Sequence, residues 1–207
     1  MAELALALPF GWLSLGGTAV VVALAAALRG RLYAIFASVL LGIHTAISQA
    51  VFPFMGLLAP LALLVQVAGF LHFASLIRAR LRPAVFRYAV SIPASAFVAG
   101  TFLAMPWAIA VGLGATPHGL ALPYGLALIG VVQSSVMRWR NVDVALDERA
   151  VVELGRHPHG DARSARPLRL VQITDPHLGP FMTEARLRRI AERAVQAKPD
   201  LVLLTGD

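Results

Sequence analysis

Residues 175–177 read Asp-Pro-His, and the chain's last two residues are Gly206 and Asp207. A carboxylate oxygen and an imidazole nitrogen two residues apart can both turn toward one ion. That mixture of ligands suits Mn, Fe or Zn better than Ca or Mg. Asp207 is a third candidate, able to reach the same ion or to bridge to a second. Two ions about 3.5–4 Å apart can activate a water and stabilise both oxygens of a phosphoryl displacement. An isolated Asp-x-His is common, and an isolated Gly-Asp is usually only a turn. What raises these residues above chance is that each group follows an apolar run.

Leu168 to Thr174 reads as a nearly continuous apolar strand, the pattern of a strand covered on both faces. Asp200 to Thr205 reads as a second. Between them Thr183 is placed to cap a helix running to Ala197, with Glu184 in its first turn and Pro199 beyond its end. Leu187, Ile190, Ala191, Ala194 and Val195 form its apolar face, and arginines cover much of the rest. Strand, helix and strand of these lengths predict a right-handed βαβ unit with parallel strands. Ligands of open α/β sheets sit beyond the carboxyl ends of such strands, which is where Asp175 and Asp207 fall. Pro176 is expected to hold Asp175 in an extended conformation.

Leu-Val-Gln-Ile-Thr-Asp-Pro-His-Leu-Gly-Pro and Pro-Asp-Leu-Val-Leu-Leu-Thr-Gly-Asp resemble the opening motifs of the calcineurin-like metallophosphoesterase family. In particular they are similar to a bacterial subgroup whose α/β domain follows a membrane-spanning part. The resemblance implies that Asp175 and His177 hold a first divalent metal ion and that Asp207 bridges it to a second. Pro176 stands where the family commonly has Leu. The resemblance covers about the last forty residues, 168–207, and two of the family's five motifs. The motifs Gly-Asn-His-Asp/Glu and Gly-His-x-His, which bring further ligands, do not occur in the chain. Residues 168–207 are therefore expected to be the N-terminal part of that domain, and the 207 residues alone to be an inactive fragment.

The rest of the chain is of another kind. It is 58% apolar and 14% charged overall, against about 45–50% apolar for a soluble domain. No charged residue lies between Leu4 and Leu28, between Leu32 and Ile77, or between Tyr88 and Met137. A span takes about 20 apolar residues, so residues 1–140 are expected to form a helical membrane domain. Five transmembrane helices fit: Phe10 to Leu28, Tyr33 to Val51, Gly56 to Ile77, Tyr88 to Val111 and Gly119 to Met137. Four result if one segment is re-entrant. Residues 141–167 form a linker, in which Val142, Val144 and Leu146 alternate as a short half-buried strand does. The expected fold class is thus an α-helical membrane domain followed by the first βαβ portion of an α/β metallophosphoesterase domain.

Arginines set the expected orientation. With five spans, Arg29, Arg31, Arg78, Arg80, Arg82, Arg87, Arg138 and Arg140 all fall on one side, which the positive-inside rule makes cytoplasmic. The N-terminus is then outside and the α/β part inside, at a bacterial inner membrane. The first span lacks the basic start of a cleaved signal peptide. The net charge of +7 is largely juxtamembrane, favouring anionic lipid rather than nucleic acid as partner. With no cysteine, disulfide and thiolate chemistry are excluded.

His44, Gln49, Gln66 and His72 fall inside expected spans, where polar side chains face the bundle interior. Hydrogen bonding between helices is the favoured reading, ahead of a transport pathway or a haem site. His157 and His159, in a Pro/Gly-containing turn, read as a solvated loop. The function expected is a membrane-anchored, metal-dependent phosphoester hydrolase at the cytoplasmic face, its substrate lipid-linked or nucleotide-linked. The alternative is a transporter-like or structural membrane protein with a small cytoplasmic appendage.

Overall fold

The computed structural model describes residues 2–78, 80–144 and 168–206. Asp207, His157, His159 and most of the linker lie outside these residues. The chain divides into two compact units, Met1–Ser135 and Val136–Asp207.

The first unit is helical. Helix α1 spans Ala2–Leu28, α2 Arg31–Val51 and α3 Ala59–Leu76. Helix α4 spans Ala84–Leu103, with one π-helical turn at Arg87–Ser91. Two short helices follow, α5 at Met105–Gly112 and α6 at Ala121–Ser134. Gly30 separates α1 from α2 with φ of +104°. It and Arg29 both donate to Ala25 O, at 3.0 Å each, closing the end of α1 in the manner of a C-terminal glycine cap. Between α2 and α3 the expected turn at Phe52–Phe54 is a 3-10 turn, followed by a second at Gly56–Leu58.

Four helical segments among the described residues are long and apolar enough to cross a membrane: Leu6–Leu28, Arg31–Phe54, Gly56–Leu76 and Ala84–Leu103. The fourth expected span was placed at 88–111, but helix α4 ends at Leu103. Pro106 has no amide hydrogen to donate and its ring clashes with the preceding turn, so the chain restarts at Met105 with the proline in the first turn of α5. The fifth expected span, 119–137, contains a helix of only 14 residues. At 1.5 Å per residue that is about 21 Å, short of a hydrocarbon core of about 30 Å.

Burial in this unit differs from that of a water-soluble bundle: polar side chains are buried beside apolar ones such as Phe10, Leu41 and Phe52, and large apolar side chains lie outside. Ser14, His44, Thr45, Ser48, Gln66 and Thr101 are all at most 5% exposed, while Trp12, Leu32, Phe36, Leu57 and Leu64 are on the outside. A bilayer offers apolar side chains nothing to flee, so helices there associate through small residues and interhelical hydrogen bonds. Both devices are present. A Cβ on Gly17 would collide with the Phe70 ring, and one on Gly100 with the Tyr124 ring. These two glycines bring α1 against α3 and α4 against α6. Gln66 Nε2 donates to Ser14 Oγ at 3.1 Å, and Gln66 Oε1 pairs with His44 Nε2 at 3.0 Å. One α3 side chain thereby links α1 and α2, and the Thr18–Thr45 hydroxyl pair at 2.9 Å adds a second tie. The expectation of interhelical hydrogen bonding holds for His44 and Gln66; His72 is also buried.

The second unit contains strand β1 at Leu170–Thr174, helix α7 at Glu184–Gln196 and strand β2 at Leu201–Thr205. The strands pair in parallel, with Leu170 opposite Leu201 and Thr174 opposite Thr205. Thr183 caps α7 as expected, its side chain accepting from Arg186 N at 3.2 Å. At the other end Lys198 adopts a left-handed conformation, φ +49°, and Arg169 Nη1 donates to Ala197 O at 2.9 Å. Val171 of β1 and Ile190 and Ala194 of α7 are the buried apolar residues among those described in this unit. The other face of the pair is open among the described residues, with Leu170 50% exposed, so cover on both faces is not seen there. Of the short strand expected near 142–146, residues 141–144 have no regular structure and Val142 and Val144 are exposed, while 145 and 146 lie outside the described residues.

Candidate metal centre

Parallel pairing brings the ends of β1 and β2 side by side. Asp175 N donates to Thr205 O at 2.7 Å, extending the ladder one residue past β1. Three positions before Asp175, Gln172 Nε2 donates to Thr205 Oγ1 at 2.9 Å across the strands. The two segments leave the sheet in step.

Asp175 is not extended, as the following proline led us to expect. Its φ is +52°, a left-handed value that aspartate tolerates better than most residues. The neighbouring strand passes close by. Gly206, with φ of +95°, passes so close that a Cβ there would lie 2.9 Å from Asp175 Cα, 3.0 Å from its N and 3.1 Å from its Oδ1. Glycine serves here for two reasons at once: its backbone conformation disfavours any side chain, and the space is already filled by Asp175. The turn at Asp175 swings the chain back so that His177 Nε2 lies 2.7 Å from Asp175 Oδ1.

The loop from β1 to α7 is held at its far end. Gly179 N donates to Met182 O at 2.9 Å, and Arg186 Nη1 donates to Phe181 O at 2.7 Å. Both site residues remain open to solvent, the Asp175 and His177 side chains being 66% and 63% exposed. Accessible donors of this kind can bind an ion from solution without displacing any packed group.

The donor set fits a divalent transition metal. Adjacent ligands of one ion, each about 2.0–2.2 Å from it, lie roughly 3 Å apart when near a right angle. The Oδ1–Nε2 separation is close to that value. The structure thus brings Asp175 and His177 together, while Asp207, the third expected ligand, lies outside the described residues. Among the described residues no cluster of three or more His, Asp or Glu side chains is present. Sequence reasoning did not anticipate how closely Gly206 packs under Asp175; its signal was a glycine directly before an acidic residue at a strand end.

No family model, curated protein or solved structure matches the chain.

Proposed function

We propose that the chain is membrane-anchored and carries metal ligands of a metal-dependent phosphoester hydrolase, namely Asp175, His177 and Asp207. The observation that carries this reading is the Asp175–His177 pair, 2.7 Å apart at the carboxyl end of β1 with Gly206 of the neighbouring strand packed beneath it. A parallel sheet edge is where such folds place ligands, and the pair has the right chemistry for Mn, Fe or Zn. A bound pair of divalent ions would supply a water acidic enough to ionise near neutral pH and positive charge for the displaced oxygens. The chain's own residues do the holding. Asp175 offers its carboxylate at the end of β1, and His177 offers Nε2 beside it.

The membrane reading rests on four apolar helices of spanning length. The proposed orientation is N-terminus outside and the second unit at the cytoplasmic face of a bacterial inner membrane. The helix directions support it. The turn after α2 and the loop before α6 meet at one end of the bundle, where Pro53, Phe54, Gly56, Thr116, Pro117 and His118 line an open pocket of about 330 Å3. The arginines of this unit are at the other end. Helix α6 therefore runs back toward the arginines. A substrate at that face would be a phosphoester, lipid-linked or nucleotide-linked.

The test is Mn2+-dependent hydrolysis of a p-nitrophenyl phosphoester. The 207-residue chain is expected to be inactive, because three ligands do not complete a two-metal centre. A chimera that carries the family's remaining motifs after Asp207 is expected to be active, and to lose activity with Asp175→Asn. Robust hydrolysis by the 207 residues, or a chimera indifferent to Asp175→Asn, contradicts the proposal.

A further inference from the structure

The arginines at one end of the helical unit are unevenly employed. Arg29 Nη1 donates to Leu76 O at 2.9 Å and its guanidinium lies 4.2 Å from the Tyr33 ring centroid. Arg82 Nη2 donates to Ser75 O at 3.0 Å and its guanidinium faces the Phe86 ring. Two arginines from different loops thus close consecutive carbonyls at the end of α3, where positive charge complements the helix dipole. This draws the α1–α2 junction and the α3–α4 loop together.

Arg31, two residues past Arg29, and Arg78 and Arg80, between Leu76 and Arg82, are carried to the same place. Arg31, Arg78 and Arg80 are exposed, and no hydrogen bond or ion pair of their side chains is present among the described residues. Residues 4–137 contain six arginines and no acidic residue at all. The positive charge at this end therefore has no counter-charge within the helical unit. Around it stand exposed apolar groups, Leu32, Leu81 and Val85, and Tyr88, over which Arg87 lies at 4.6 Å. Tyrosines beside cations mark the level of lipid headgroups.

We infer that Arg31, Arg78 and Arg80 form a binding surface for the headgroups of anionic phospholipids, while Arg29 and Arg82 position the two loops that carry them. The phosphodiester of a lipid supplies the missing counter-charge, and its acyl chains cover the flanking apolar side chains. A free phosphate has nothing to place against Leu32, Leu81 and Val85, so the committed ligand is the lipid. The inference is independent of the metal pair.

The test uses the full chain reconstituted in phosphatidylcholine bilayers, with spin-labelled phosphatidylglycerol and spin-labelled phosphatidylcholine as probes. The protein-restricted fraction should favour phosphatidylglycerol about fivefold, the ratio that corresponds to about 1 kcal/mol for one arginine before an anionic group. The preference should shrink toward one in 1 M salt, where the screening length is about 3 Å. It should also vanish in the Arg31→Gln, Arg78→Gln, Arg80→Gln variant, remain in Arg189→Gln, and survive inorganic phosphate at constant ionic strength. A ratio of one in the unaltered protein overturns the inference. So does a preference that ignores salt, persists in the triple variant, is lost in Arg189→Gln, or is displaced by inorganic phosphate.

Discussion

Replacing Gly206 by alanine tests how the two strand ends hold the site. The new Cβ would enter space 2.9 Å from Asp175 Cα and 3.0 Å from its N. Neither atom is the tip of a flexible side chain, so one strand end must move. Alanine at a φ of +95° adds backbone strain of about 1–3 kcal/mol. The expected loss is about 2–3 kcal/mol of local stability, concentrated where Asp175 N bonds to Thr205 O at 2.7 Å. Native-state hydrogen exchange reads such local opening directly. At 1.4 kcal/mol per factor of ten, the amides at the ends of β1 and β2 should exchange about 30- to 100-fold faster, and those of the helical unit should not change. Gly179→Ala is the control, because a Cβ there meets nothing within 4 Å. Equal exchange in Gly206→Ala and the unaltered protein would refute the close approach on which the site geometry rests.

Three further outcomes follow from named contacts. Gln66→Leu removes the link to both Ser14 Oγ and His44 Nε2 and should destabilise the bundle by about 1–2 kcal/mol, measured by detergent unfolding. Thr183→Ala removes the cap that accepts from Arg186 N and should cost about 1 kcal/mol, seen as faster exchange in the first turn of α7. A reporter fused after Arg140 should be active only in a form that works in the cytoplasm; periplasmic activity would overturn the orientation.

Much of this architecture was legible in the residues because it rests on local rules. The long charge-free runs announce helices, Thr183 announces a cap, and two apolar runs flanking a helix announce parallel strands. What was not legible depends on contacts. A uniformly apolar sequence carries no periodicity to mark where one helix ends, so the break after Leu103 was missed although Pro106 signals it. The shortness of α6 was hidden for the same reason. Asp175 was expected to obey the preference of a residue before proline, but it takes a left-handed conformation, φ +52°, where Gly206 of the neighbouring strand lies close. The tight seating of Tyr124 on Gly100 likewise needs two distant residues to be known at once. At the candidate centre, the sequence indicated which residue types gather and at which sheet edge. The 2.7 Å approach of His177 to Asp175 accompanies the left-handed turn at Asp175, which the residue types alone do not announce.

Metal binding by the chain itself is the most direct test of the central claim. Titration of the bilayer-embedded protein with Mn2+ and Zn2+, followed calorimetrically, should show saturable binding. Asp175→Asn, His177→Ala and Asp207→Asn should each weaken it at least tenfold, since each removes one of few ligands. Absence of saturable binding, or binding that all three substitutions leave unchanged, would contradict the assignment of these residues as a metal centre.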